Sequence, residues 1–197
     1  KALTKVVPDI RIGDESLAMI SPDEGGVSRC LYYSSVLGVN VGMFYKRRNY
    51  SVIVNGRNPI EAHEYLGNSV EGKDIIVVDD MIASGDSMLD IFKNLKARGA
   101  RRIFAFVSFG LFTHGLDAFD KMYEEKMFDG IFTTNLIYRS DALRAKPWYH
   151  EVDMTKYVAY IIEELNHDNS TSSLIDPFAK IKTLLAKHEA ELAAAEK

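Results

Sequence analysis

The chain has 197 residues, 47% of them hydrophobic, 11% aromatic and 26% charged, which is enough for one large packed domain of ordinary globular composition. Against 28 Asp and Glu stand 24 Lys and Arg, for a net charge of −4; this argues against a nucleic-acid or membrane-surface partner, although a local basic cluster can still hold a small polyanion. The single cysteine, Cys30, excludes an intrachain disulfide and fits a reducing, cytoplasmic setting, and neither a membrane-crossing run nor a signal peptide is evident. The chain opens on Lys1, not Met, so a fragment or processed chain is expected.

In chain order, Leu17–Ser21 is a short apolar run ended by Ser21-Pro22-Asp23 and predicts a buried strand. Gly25-Gly26 leads into a helix over Val27–Leu37, and Val39–Tyr45 predicts a second strand. Lys46–Arg57 is charged, with little periodicity, and is expected to be mostly loop. Asp74–Val78 is the clearest strand, a β-branched run with the pattern of full burial. A polar turn over Asp79–Asp86 follows. Ser87–Arg98 is an amphipathic helix with Met88, Ile91, Phe92 and Leu95 on one face and Gly99 just past its end. Strands at Arg102–Phe109 and Gly130–Thr134 and helices at Leu116–Met127 and Thr155–Leu165 complete the pattern. The last helix is expected to turn Tyr157, Val158, Ile161, Ile162 and Leu165 inward. The alternation means βαβ units: a three-layer α/β/α fold with a mostly parallel sheet. Residues 1–166 read as this domain. His167–Ser173 reads as a linker, and the tail, with Phe178, Ile181, Leu185, His188 and Leu192 at helical spacing, suits a docking or oligomer helix and an accessory surface helix equally.

Ligands of such sheets bind at the carboxyl ends of the strands, which singles out the turns 21–26, 46–57 and 79–87. In the last, an apolar strand delivers Asp79 and Asp80 to its end, and Met81, Ile82, Ala83, Ser84, Gly85, Asp86 and Ser87 lead into a helix. Successive loop N–H groups and a helix N-terminus form an anion site suited to a phosphate monoester, with Ser84 and Ser87 adding hydroxyls. Two adjacent carboxylates suit a pair of vicinal hydroxyls, or a Mg²⁺ ion bridging to them. A plain strand–turn–helix with Ser87 as N-cap would use the same residues structurally. The histidines show no metal-ligand spacing, and Trp148 and Cys30 read as packing residues.

The stretch Val77–Ser87 resembles the PRPP-binding loop of the type I phosphoribosyltransferase fold, an apolar run followed by Asp-Asp and a T-A-G-T-like tetrad. The tetrad here is Ser84-Gly85-Asp86-Ser87, with Asp86 where Gly is usual and Ala83 in a slot often acidic. Ser21-Pro22-Asp23-Glu24-Gly25-Gly26-Val27-Ser28-Arg29 resembles the S-P-D-x-G-G-x-x-R stretch of ribose-phosphate pyrophosphokinases, and Lys46-Arg47-Arg48 resembles the K-R-R of their catalytic loop. Ser108–Thr113 is similar to the family's T-H-G-x-F-S segment, with Phe109 in place of His, and Thr133-Thr134-Asn135 to its T-N stretch. The resemblance runs from about residue 17 to 165 and is to a variant branch.

That resemblance implies transfer of diphosphate from ATP to ribose 5-phosphate, giving PRPP and AMP. It implies that Asp79 and Asp80 orient the ribose, that Ala83, Ser84, Gly85, Asp86 and Ser87 hold the 5-phosphate, and that the side chain of Asp86 points away from it. Lys46 and Arg48 are then catalytic, acting on the transferring phosphates, and Asp23 helps hold Mg²⁺. The family also has a similar N-terminal domain supplying most of the adenine pocket, which nothing here matches, so the chain is expected to be about half an enzyme, a homo-oligomer in its native state and inactive alone. A complete nucleobase phosphoribosyltransferase and a non-catalytic PRPP-binding subunit are the alternatives. Ala83 and the 46–48 triplet argue against the former, and the presence of Lys46 and Arg48 against the latter.

Overall fold

The computed structural model describes residues 1–13, 15–48 and 60–195. In chain order the elements are α1 (Ala2–Val6), β1 (Leu17–Ser21), α2 (Val27–Leu37), β2 (Asn40–Arg48), β3 (Ile60–Leu66), β4 (Asp74–Ile82), α3 (Asp86–Ala97), β5 (Arg102–Gly110), α4 (Asp117–Glu124), β6 (Gly130–Thr134), α5 (Asp141–Arg144), β7 (Tyr149–Val152), α6 (Thr155–Asn166), α7 (Ser172–Ile175) and α8 (Phe178–Ala195). The strands form one sheet in the order β3-β2-β1-β4-β5-β6-β7. Every pairing is parallel except β2 with β3.

Alternation along the strands explains the layers, because successive side chains leave opposite faces of a pleated sheet. Ala18, Ile20, Ile75, Val77, Ile103 and Ala105 pack on one face against Met88, Ile91, Phe92 and Leu95 of α3 and Phe119 and Met122 of α4. Leu17, Met19, Ile76, Val78 and Phe104 pack on the other, with Leu3 of α1 and Cys30 of α2. Each large apolar side chain so buried contributes about 1.5–3 kcal/mol before ordering costs. The sheet thus has helices on both faces, as the α/β/α expectation requires.

Several boundaries differ from expectation. β2 runs on to Arg48, so Lys46–Arg48 belong to a strand and not a loop; their backbones pair with His63, Ala62 and Ile60 of β3. The cause is the antiparallel edge partner Ile60–Leu66, whose mixed polar sequence gives no strand signal of its own. Residues 49–59, including Asn55–Asn58, lie outside the described residues. β4 likewise continues through Asp79–Ile82, where a turn is expected, because β5 runs alongside to Gly110 and supplies pairing partners. α4 stops at Glu124, and Lys126 takes a positive φ of 57° that reverses the chain before Met127.

α6 has no buried residue, and its Ile162 and Leu165 are 56% and 63% exposed. Helical spacing identifies an apolar face but does not say that the sheet covers it. In the tail, α8 lies against the chain's own N-terminal segment: His188 is buried and its Nε2 donates to the Ile10 carbonyl at 2.7 Å. Trp148 is fully buried, its indole N–H donating to Asp120 at 2.8 Å.

Candidate sugar-phosphate site

Three neighbouring strands bring residues 21–26, 46–48 and 79–87 to one edge. In the register, Ser21 at the end of β1 lies beside Met43 of β2, and Ile20 lies beside Val77 of β4. Val78 is therefore level with Ser21. Asp79 and Asp80 come next along β4, the Pro22–Gly26 turn leaves β1, and Lys46 lies three residues past Met43, about 10 Å along its strand. The sheet order β2-β1-β4 makes this one continuous carboxyl edge, the ligand-binding edge of open parallel sheets.

Asp79 is partly buried and Asp80 exposed. Asp79 Oδ1 accepts the Asp80 backbone N–H at 2.8 Å and lies 3.8 Å from Nη1 of Arg29. The Asp79 carboxyl is pushed up to about 6, first by removal from water, with repulsion from the Asp80 and Asp23 carboxylates adding to it and the Asp80 N–H bond opposing. Deprotonating it therefore works against a local excess of negative charge, which a cation or a pair of hydroxyl donors would relieve.

Beyond Ile82 the chain turns through Ala83, Ser84 and Gly85 into α3. Gly85 is the N-cap residue, with φ 101°. The expected N-cap Ser87 instead sits within the first turn, exposed. Gly85 itself offers no capping side chain, and the Asp86 N–H makes a long contact of 3.4 Å with Ser84 Oγ, so the start of α3 is only weakly capped, an arrangement suited to anions at helix starts. Ser84 Oγ donates to Asp86 Oδ2 at 2.9 Å, and Asp86 Oδ2 lies 3.5 Å from Nδ1 of His114. The Asp86 side chain is thus turned onto its own loop and toward His114.

Two glycines hold these turns for steric reasons. A Cβ on Gly85 would lie 2.4 Å from the Phe119 ring, and one on Gly26 would lie 2.6 Å from Ser21 Oγ. Gly26 is therefore needed for close packing of its turn onto β1, whatever the turn binds. At Gly85 a side chain meets both a positive φ and a buried ring. Gly85→Ala is expected to cost about 1–3 kcal/mol in backbone strain and a similar amount in overpacking. Thermal denaturation should show a clearly lowered midpoint; one unchanged from wild type would contradict the packing described.

The remaining motif residues serve as ties. Thr134 Oγ1 donates to the Ser108 carbonyl at 2.5 Å, Asn135 Nδ2 donates to Asp153 Oδ1, and Asn135 Oδ1 accepts from the Met154 N–H. These bonds join the ends of β5 and β6 to the β7–α6 junction. Arg29 is the residue to which the motif reading gave no role; its approach to Asp79 becomes visible only once β1 and β4 lie side by side.

The family profile of the phosphoribosyl transferase domain matches residues 2–132. A ribose-phosphate pyrophosphokinase of Vibrio vulnificus is 28% identical over 168 residues, covering 83% of this chain and 49% of that protein. One of Mycoplasmopsis pulmonis is 23% identical over 176 residues, covering 88% and 52%. The chain spans about half the length of the curated relatives it matches. Among solved structures, phosphoribosylpyrophosphate synthetase from Mycobacterium smegmatis superposes with a TM-score of 0.66 at 18% identity, covering 85% of this chain and 49% of that one; at that identity the likeness concerns the fold. A profile match over more than half of the sequence identifies the family: the chain belongs to the phosphoribosyl transferase domain family.

Proposed function

We propose that this chain is the sugar-phosphate half of a ribose-phosphate diphosphokinase, which transfers the diphosphoryl group of ATP to the anomeric hydroxyl of ribose 5-phosphate to give PRPP and AMP. The observation that carries the reading is the pair Asp79–Asp80 near the end of β4, joined through Ile82 and the short Ala83–Gly85 turn to the start of α3, whose N-cap is Gly85. One short stretch offers acceptors for vicinal hydroxyls and, a few residues on, N–H donors for a phosphate. The names of the curated relatives support the reaction.

In this reading Asp79 and Asp80 take the 2- and 3-hydroxyls, and residues 83–87 take the 5-phosphate. Ser84 exchanges its bond to Asp86 for one to the phosphate. Lys46 and Arg48 neutralise charge on the transferring group, so that catalysis is mainly positioning and electrostatics. Asp23 offers hard oxygens for Mg²⁺ near Asp79, whose carboxyl Asp80 and Asp23 repel, and a cation there would relieve that repulsion. Among the described residues no group of three or more His, Cys, Asp or Glu is placed to hold a metal alone, so Asp23 would hold the ion together with water and substrate oxygens. When bound, the ion offsets phosphate charge. A homo-oligomer in the cytoplasm belongs to the same proposal; no described helix is long and apolar enough to cross a membrane.

The test is AMP release from ATP and ribose 5-phosphate. The full-length product of the gene should turn over. The 197-residue chain alone should release no AMP above background, since in-line transfer needs ATP held as firmly as the sugar. Turnover with a nucleobase and PRPP instead would hand the chain to the nucleobase phosphoribosyltransferase class, and robust AMP release by the isolated chain would refute its reading as half of an enzyme.

A further inference from the structure

We propose that Arg29 is a positioning residue of this site: from α2 it fixes the Asp79 carboxylate that receives the sugar hydroxyls. The inference rests on the sugar-phosphate reading and adds to it a residue that reading leaves without a role.

Arg29 is the third residue of α2, at the positive end of that helix, where the aligned backbone dipoles disfavour a cation. The first turn has no acidic residue and Gly26 provides no side-chain cap, so the helix itself does nothing to offset the guanidinium. Its Nη1 is buried and has no hydrogen-bond partner. An unsatisfied buried guanidinium nitrogen is costly, and structures keep such groups where they meet a charge or a ligand. The counter-charge is Asp79 Oδ1, at 3.8 Å. That is too long for a hydrogen bond but close for two part-buried charges.

Asp79 Oδ1 is thus held from two sides, by the Asp80 N–H at 2.8 Å and by the Arg29 guanidinium. Asp80 and Asp23 both repel this carboxylate, and Arg29 supplies attraction from the opposite sign. Arg29 and Asp79 also line one cavity of about 390 Å³, whose walls include Leu17, Met19, Val78 and Phe106. The link crosses from the helix after β1 to the end of β4, tying the two sequence motifs into one site.

The test is calorimetric titration of the 197-residue chain with ribose 5-phosphate and, separately, with inorganic phosphate, which has no diol. The proteins are wild type, Arg29→Gln, Arg29→Lys, Asp79→Asn and the double variant Arg29→Gln/Asp79→Asn. Arg29→Gln should weaken ribose 5-phosphate about tenfold and leave phosphate unchanged, and Arg29→Lys should recover most of the loss, since a point charge serves this role. In the Asp79→Asn background Arg29→Gln should add nothing, because a residue acting through Asp79 has no effect once the carboxylate is gone. An undiminished effect in that background, or an equal loss of phosphate affinity, would overturn the proposal. Should Arg29→Gln not fold, Arg29→Met, which also removes the charge, is read in its place: a loss of about tenfold confined to the sugar phosphate supports the role, and no loss or a loss shared with phosphate opposes it. If Asp79→Asn weakens ribose 5-phosphate and Arg29→Gln does not, this inference fails alone; if Asp79→Asn has no effect either, the sugar-site reading fails with it.

Discussion

Alanine at Lys46 or Arg48 is expected to lower kcat of the full-length enzyme by about 10²-fold or more, the scale for removing one preorganised charge-stabilising donor. Ribose 5-phosphate affinity should barely change. The backbone supports this division of labour. Both residues end β2, and β2 runs parallel to β1 with Met43 beside Ser21. Their backbones therefore extend beyond the β1 turn, on the far side of β1 from Asp79 and Asp80 on β4. That strand end therefore lies apart from the carboxylates proposed to take the sugar hydroxyls. Steady-state kinetics separates the cases: a fall in kcat with little change in sugar-phosphate affinity supports the role, and a variant with normal kcat excludes it.

The second large effect is on stability. Asp74→Ala should destabilise the fold by about 3–5 kcal/mol, the cost of breaking a buried ion pair from one side. Asp74 is fully buried at the start of β4 and accepts from Arg101 at 2.8 and 2.6 Å and from Arg102 at 3.0 and 2.7 Å. Arg102 also reaches Asp9 at 2.9 Å, so the cluster ties the β4–β5 foot to the N-terminal segment. The loss should fall at the lower end of the range, because Arg101 is half exposed and Arg102 retains Asp9. Burial alone would raise the Asp74 carboxyl, but the bonds from Arg102 and Arg101 outweigh it and hold it below the ordinary 3.8. A depressed folded-state value means stability that is present above about pH 4 and lost as pH falls below it. Urea melts of wild type should therefore weaken from pH 4 downward, and the variant should show a shallower pH dependence, keeping the part due to Asp120 and Asp153, whose carboxyls are also lowered. A variant as stable as wild type at pH 7 would contradict the role given to Asp74.

Much of the sheet was legible because buried parallel strands read as apolar runs. Asp74–Val78 and Gly130–Thr134 behave so, and the period of Met88, Ile91, Phe92 and Leu95 marked α3, where all four are buried. What failed to register were the edges. β3 is mixed in polarity, and β7 has four residues, Tyr-His-Glu-Val; both owe their strand state to a neighbour's backbone and not to their own pattern. The same cause extends β4 past Val78 into the polar Asp79–Asp80 pair. In the site, the order carboxylates–small loop–helix could be read along the chain. The Arg29–Asp79 approach could not, since 50 residues separate them and only the β1–β4 pairing brings α2 to the end of β4. Nor could the Ser84–Asp86 bond, which depends on loop conformation.

Calorimetry with ribose 5-phosphate on wild type, Asp79→Asn and Asp80→Asn tests whether the 79–87 stretch binds the sugar phosphate. Each substitution removes a charge-assisted hydrogen bond worth roughly 1.5–3 kcal/mol, so each should weaken ribose 5-phosphate tenfold or more. Wild-type affinity should also fall as pH drops through about 6, where Asp79 takes up its proton and ceases to be a full acceptor for the sugar hydroxyls. The sugar's phosphate also takes up its second proton near pH 6, so Asp79→Asn should show a shallower fall than wild type. Measurable wild-type binding with these losses is expected; unchanged affinity in both variants would place the sugar elsewhere.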